Sequence, residues 1–154
     1  MLGYTLSWTN RRFDGLNNGR KYPYKYDRRH DFKMAVVHKK NERFEVSAEW
    51  IFGTGQAITL PTEVYLGNNQ QEIEVYDGRN DFRMRSYHRV DVSMKFSKKK
   101  KWGERAWVVS VYNAYNRQNP FFLFRDYDYI TNEPVFKQIS LFPIIPSVSY
   151  QFKF

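Results

Sequence analysis

The segment "RFEVSAEWIF" carries Glu45 and Glu49 four positions apart with Ser47 between them. In an extended chain alternate side chains point the same way, so these three share one face. Two carboxylates so placed can act as general acid and base, or they can line a wet wall. "HRVDVSMKFS" groups Arg89, Asp91 and Lys95 on one face in the same manner. Neither set is joined by a nucleophile with a base beside it. The histidines His30, His38 and His88 are far apart and lack metal-ligand spacing. Cysteine is absent, which removes thiolate sites and disulfides. "FGTG" (residues 52–55) lacks the Gly-Lys-Ser/Thr of a phosphate loop, and its glycines suit a bend or bulge where a strand ends. The expectation is a protein that is not an enzyme, with no metal and no cofactor. Its polar residues Glu45, Glu49, Arg89, Asp91 and Lys95 would then line a water-filled lumen.

The charged and aromatic residues point to binding instead. The formal charge is +9, and aromatics make up 19% of the chain. Arg11, Arg12, Arg20, Lys21, Lys25, Arg28 and Arg29 are interleaved with Tyr22, Tyr24 and Tyr26. A single-strand nucleic-acid groove uses such a mixture; so does an external loop facing anionic lipopolysaccharide or forming a ligand vestibule, which is the preferred reading. "NPFFLFRDYDYI" adds Phe121, Phe122, Phe124, Tyr127 and Tyr129. Together with Tyr22 and Tyr24 these are candidate contacts for a ligand or a surface lipoprotein, packing against neighbouring loops being the alternative. The run Lys98–Lys101 fits a solvated cap on a short turn better than a phosphate site.

The elements that must position these residues are strands. Period-two alternation recurs in six segments: residues 2–9, 31–38, 43–52, 88–97, 106–116 (with a bulge near Asn113) and 144–154. Mean hydropathy is −0.73, no run of about 18 apolar residues exists for a membrane helix, and "MLGYTLSWTN" has no leader-peptide pattern. Half-apolar strands of a membrane barrel escape both criteria. The connections alternate long and short: residues 10–29, 53–86 and 117–138 are long, whereas Lys39–Glu42 and Lys98–Glu104 are tight. Outer-membrane barrels alternate short periplasmic turns with long external loops in this way. The expectation is an all-β, antiparallel transmembrane β-barrel segment of about six strands, its C-terminus on the periplasmic side of a Gram-negative cell outer membrane. Tyr4, Trp8, Trp50, Phe52, Trp107, Tyr115, Tyr150 and Phe154 fall near strand ends, where aromatic girdles lie. Six strands are fewer than the roughly eight a barrel needs, so the chain alone is expected not to insert stably and to need upstream strands.

Three stretches carry a family resemblance. "SYHRVDVSMKFSKK", "WVVSVYNAYNRQNPFF" and "LFPIIPSVSYQFKF" resemble the C-terminal end of TonB-dependent outer-membrane receptors of the group with a carboxypeptidase-regulatory-like domain. "YTLSWTNRRFDGLNNGRKYPYKYDRRHDF" and "FGTGQAITLP" resemble them too, so the likeness covers most of residues 1–154. The resemblance implies the last six strands of a 22-stranded barrel for nutrient uptake, with the signal peptide, regulatory domain and plug lying outside this sequence. It implies as partners outer-membrane lipid, the upstream strands and plug, and the TonB system reached through the N-terminal part. It also implies that the terminal strand, with Val148, Tyr150, Phe152 and Phe154, is an assembly signal. Two other readings stay open: a soluble basic β-sheet module, possible partner nucleic acid, and a non-transport barrel serving as adhesin or scaffold.

Overall fold

A computed structural model describes residues 1–131 and 133–154. In chain order its strands are β1 (Leu2–Leu6), β2 (Asn10–Arg11), β3 (Tyr22–Pro23), β4 (His30–Asn41), β5 (Phe44–Gly53), β6 (Ala57–Ile58) and β7 (Glu63–Leu66). They continue as β8 (Glu72–Val75), β9 (Phe82–Arg83), β10 (Tyr87–Lys100), β11 (Gly103–Tyr112), β12 (Pro120–Tyr127), β13 (Pro134–Ser140) and β14 (Ile145–Lys153). One 3-10 turn spans Asn17–Gly19. The protein is therefore all-β, as the alternation requires.

The six expected strands form one sheet in the order β1-β4-β5-β10-β11-β14, and four two-stranded sheets accompany it. The sheet is open, with β1 and β14 at its edges. Both short connections are tighter than expected. The strand β4 continues through Lys39–Asn41, leaving Glu42 and Arg43 as the turn, and Lys101 and Trp102 alone join β10 to β11. Gly103 accepts this tightness at φ 139, where a Cβ would lie 2.1 Å from the Lys153 carbonyl oxygen. The long connections are not structureless: they contain β2/β3, β6/β9, β7/β8 and β12/β13. The expected strand over residues 106–116 stops at Tyr112 instead of bulging, because Asn113 and Asn116 both adopt left-handed backbone (φ 51 and 53).

The chain divides into two compact units. The first holds residues 1–4, 32–52 and 87–154; the second holds 5–31 and 53–86. Buried apolar side chains are few. Tyr22, Ala57 and Met84 belong to the second unit, and in the first only Ala106 is buried among the described residues. Alternation in the sheet thus produces an apolar face without producing a core.

Candidate functional site

Cross-strand register arranges the apolar face into rows. Val92, Val111 and Pro146 form one, Met94, Val109 and Val148 the next, and Phe96, Trp107 and Tyr150 the third. Trp107 is 53% exposed and Val148 64%, although each is flanked by apolar neighbours. Two aromatic bands bound the aliphatic rows. At the long-loop end Phe32 packs on Trp50 (5.1 Å between ring centroids), Trp50 on Phe52, Phe52 on His88, and His88 on Tyr115. A 2.6 Å hydrogen bond joins His88 Nδ1 to the Tyr115 hydroxyl. At the short-turn end Phe44 packs on Phe96 (5.0 Å), Trp107 on Tyr150 (4.9 Å) and Phe152 on Phe154 (4.6 Å). Phe44 and Phe52 are eight residues apart, about 27 Å along an extended strand and roughly 20 Å after a tilt of about 40°.

The opposite face is small and polar. Ser93, Ser110 and Ser147 form a row across three strands, the last two hydroxyls 2.7 Å apart. Lys95 stands in the next row with Val108 and Ser149. Arg89 Nε lies 2.9 Å from Asp91 Oδ2, and Lys39 pairs with Glu45 at 3.4 Å. Glu49, Asp91, Ser47 and Ser93 line a shallow groove of about 450 Å³ on this face. By alternation Glu45 and Glu49 of β5, and Arg89, Asp91 and Lys95 of β10, stand opposite the apolar residues of their own strands. Among the described residues no cluster of three metal-ligating side chains exists.

The strand tops are fixed by asparagines at every third position. Asn113 is fully buried. Its N–H donates to Asp91 Oδ1 (2.9 Å), its Oδ1 accepts from the Arg117 N–H (3.1 Å), and its Nδ2 donates to the Arg117 and Phe142 carbonyls (3.0 and 3.2 Å). Asn116 Oδ1 accepts from the Ile144 N–H. The Asn119 amide holds the His88 backbone from both sides, accepting its N–H and donating to its C=O, each at 2.9 Å. One side chain there supplies the bonds a neighbouring strand would supply. The spacing was visible in "NAYNRQN", but only structure reveals that its amides bind backbone.

Beyond these asparagines, β12 and β13 carry the aromatic stretch. Phe121 and Phe122 are exposed, and Phe124 is half-buried opposite Lys137. Lys137 Nζ lies 2.5 Å from Asp126 Oδ2 and 4.8 Å over the Tyr129 ring; Arg125 donates to the Tyr127 hydroxyl. The Asp128 carboxylate accepts from the Ile130 and Thr131 N–H groups, so its pKa is drawn below the ordinary value by those backbone bonds. This turn presents Tyr129 and Ile130, both more than nine-tenths exposed.

In the second unit, Asp27 is the organising residue. It is 3% exposed, accepts from the Thr9 N–H at 2.6 Å, and pairs with Arg83. The second Arg83 nitrogen donates to the Asp27 and Gly55 carbonyls. Burial pushes the Asp27 carboxyl up, but the hydrogen bonds from Arg83 and Thr9 and the Arg83 and Arg29 charges outweigh it and hold its pKa below the ordinary value. Gly55 is required by close approach, not by a bulge: a Cβ there would sit 1.7 Å from the Met84 carbonyl oxygen. Tyr22 is corrected as a ligand contact. It is 5% exposed, paired within β3 to Arg11 of β2 and packed with Arg79 over its ring, so its face is not available. Tyr24 remains half-exposed, with Arg11 stacked at 3.9 Å. A groove of about 500 Å³ in this unit, lined by Asn17, Asn18, Tyr76, Asp77 and Arg79, escaped sequence reasoning. The turn signals "LNNG" and "YDGRN" marked its two sides, but not their meeting.

No family model, curated protein or solved structure matches this chain.

Proposed function

We propose that this chain is a six-stranded wall segment of an outer-membrane β-barrel, with its apolar face in lipid, its polar face toward a wet lumen, and its short turns and C-terminus at the periplasmic side. The observation that carries the reading is the banded apolar face: aliphatic rows lie between two aromatic bands, roughly 20 Å apart across tilted strands, the order found in the girdled belt of such barrels, which is about 25 Å tall. A solvated sheet gains nothing from that order, whereas lipid covers the aliphatic rows and interfacial headgroups suit the rings. The small, hydroxylated opposite face fits a surface approached closely by water or protein. Because unpaired backbone is costly in hydrocarbon, β1 and β14 take further strands as partners. Within this reading, the resemblance of Tyr112–Pro120 and the terminal strand to TonB-dependent receptors favours a nutrient importer whose loops face the ligand.

Arginine placed mid-band tests it. Val109→Arg puts a cation among the aliphatic rows, at a cost of about 2–4 kcal/mol in lipid, while Ser110→Arg puts it on the opposite face of the same strand. The expected result is loss of bilayer-inserted, protease-resistant protein for Val109→Arg and retention for Ser110→Arg. Equal yields for both, or release of the native protein from membranes by high salt, would overturn the reading in favour of a soluble sheet.

A further inference from the structure

The short-turn end of the sheet sorts its charges by face. On the polar side Lys99 pairs with Glu42 at 3.0 Å and aligns with Glu104 and Lys153 across the strands, while Lys39 pairs with Glu45. On the apolar side, one step beyond the Phe96–Trp107–Tyr150 row, Lys98 stands opposite Arg105, and Arg105 stands opposite Phe152 with its guanidinium 5.5 Å over that ring. Lys100 follows on the same face, opposite Gly103. All three cations are exposed. The pairings of β10 with β11 and of β11 with β14 place no acid in their rows, and the Glu42 carboxylate at the adjoining turn goes to Lys99. Like charges directly opposite each other destabilise a strand pair; the chain's terminal carboxylate on Phe154 lies beside Gly103, next to Lys100, and a further anion against the Lys98–Arg105 pair would relieve its repulsion. Its position names the kind of anion. A cation row immediately beyond an aromatic band lies where the phosphates of a bilayer lie, and exposed Trp102 at the turn extends the same interfacial surface.

We propose that Lys98, Lys100 and Arg105 form a headgroup site for anionic phospholipid in the leaflet at the short-turn end. The inference rests on the membrane reading above and goes beyond it, since a barrel wall needs no such site. Arg105, fixed by its ring contact, supplies a planar donor fork for a phosphate, and the two lysines add point charges. Each cation near an anionic surface contributes roughly fivefold to binding, so three contribute on the order of a hundredfold.

The test reconstitutes the full polypeptide in phosphatidylcholine bilayers with or without roughly one-third phosphatidylglycerol, and reads the association of spin-labelled phosphatidylglycerol against spin-labelled phosphatidylcholine. Lys98→Gln/Lys100→Gln/Arg105→Gln is expected to reduce the preference for the anionic lipid at least tenfold. Lys39→Gln/Lys99→Gln, on the polar face, is expected to leave it within about twofold. Retention of the preference in the triple variant, its equal loss in the polar-face control, or its abolition by competing single-stranded oligonucleotide would each overturn the proposal. Protease protection in phosphatidylcholine alone separates the two claims. Protection without lipid preference removes this inference only, and absence of protection removes the membrane reading with it.

Discussion

The sheet and the second unit distribute burial in opposite ways. The sheet has long, regular strands, yet its large apolar side chains are exposed; the second unit has strands of two to four residues, yet it holds Tyr22, Ala57, Met84 and the buried carboxylate Asp27. In a water-soluble β-protein the reverse is expected, since regular elements are stabilised by the core they enclose. The difference teaches that regular strands and burial are independent here. The second unit closes on an ion pair and close backbone approach. The sheet leaves its apolar surface for something else to cover.

Asp27→Asn presses hardest on that comparison. Breaking the pair leaves the part-exposed Arg83 guanidinium without its carboxylate, at a cost of about 3 kcal/mol. Limited proteolysis is expected to cut residues 5–31 and 53–86 readily while β10–β11 stays protected; simultaneous loss of both regions would break the distinction. Acid should act on the same contact. Because the folded pKa of Asp27 lies below its unfolded value near 4, its contribution is fully present above that pH and is lost as pH falls through the folded value. The expected outcome by hydrogen exchange is acid-dependent opening of the loop segments below about pH 4, with no such pH dependence in the Asp27→Asn variant, whose segments are already loosened.

A smaller effect is expected at Asn113→Ala, which removes three side-chain hydrogen bonds and leaves the Arg117 N–H without its acceptor. About 2 kcal/mol of local stability should be lost, seen as faster amide exchange at Arg117 and at the top of β14, with the Phe44–Phe96 end of the sheet unchanged. The smallest effect belongs to Tyr129→Ser/Ile130→Ser. Both side chains are more than nine-tenths exposed, so stability should change by less than about 0.5 kcal/mol and the melting temperature should barely move. A large shift there would mean that the hairpin tip is packed in the folded protein.

The main strands were legible because a period of two is imposed by the backbone itself, and the short turns followed from their length. The two-residue strands β2, β3, β6 and β9 were not, since two residues carry no period. Nor was the Asp27–Arg83 pair legible, because nothing local links positions 56 residues apart. The polar-face residues Glu45, Glu49, Arg89, Asp91 and Lys95 were found by parity alone. Tyr22 was misjudged for a related reason: basic neighbours marked it as exposed, while its burial depends on β2, which has no signature of its own.

The register also sets an order in time. Lys100 and Gly103 meet across a two-residue turn, whereas Tyr112 meets Ile145 only after an excursion of 32 residues. Loop closure is slower and costs more entropy for the second pairing. The β10–β11 hairpin therefore forms as a local unit, and the terminal strand is the last of this pair of contacts to be captured. Val148, Tyr150, Phe152 and Phe154 are thus held in place by the longer of the two closures, and the order of the sheet at this edge depends on the whole 32-residue excursion.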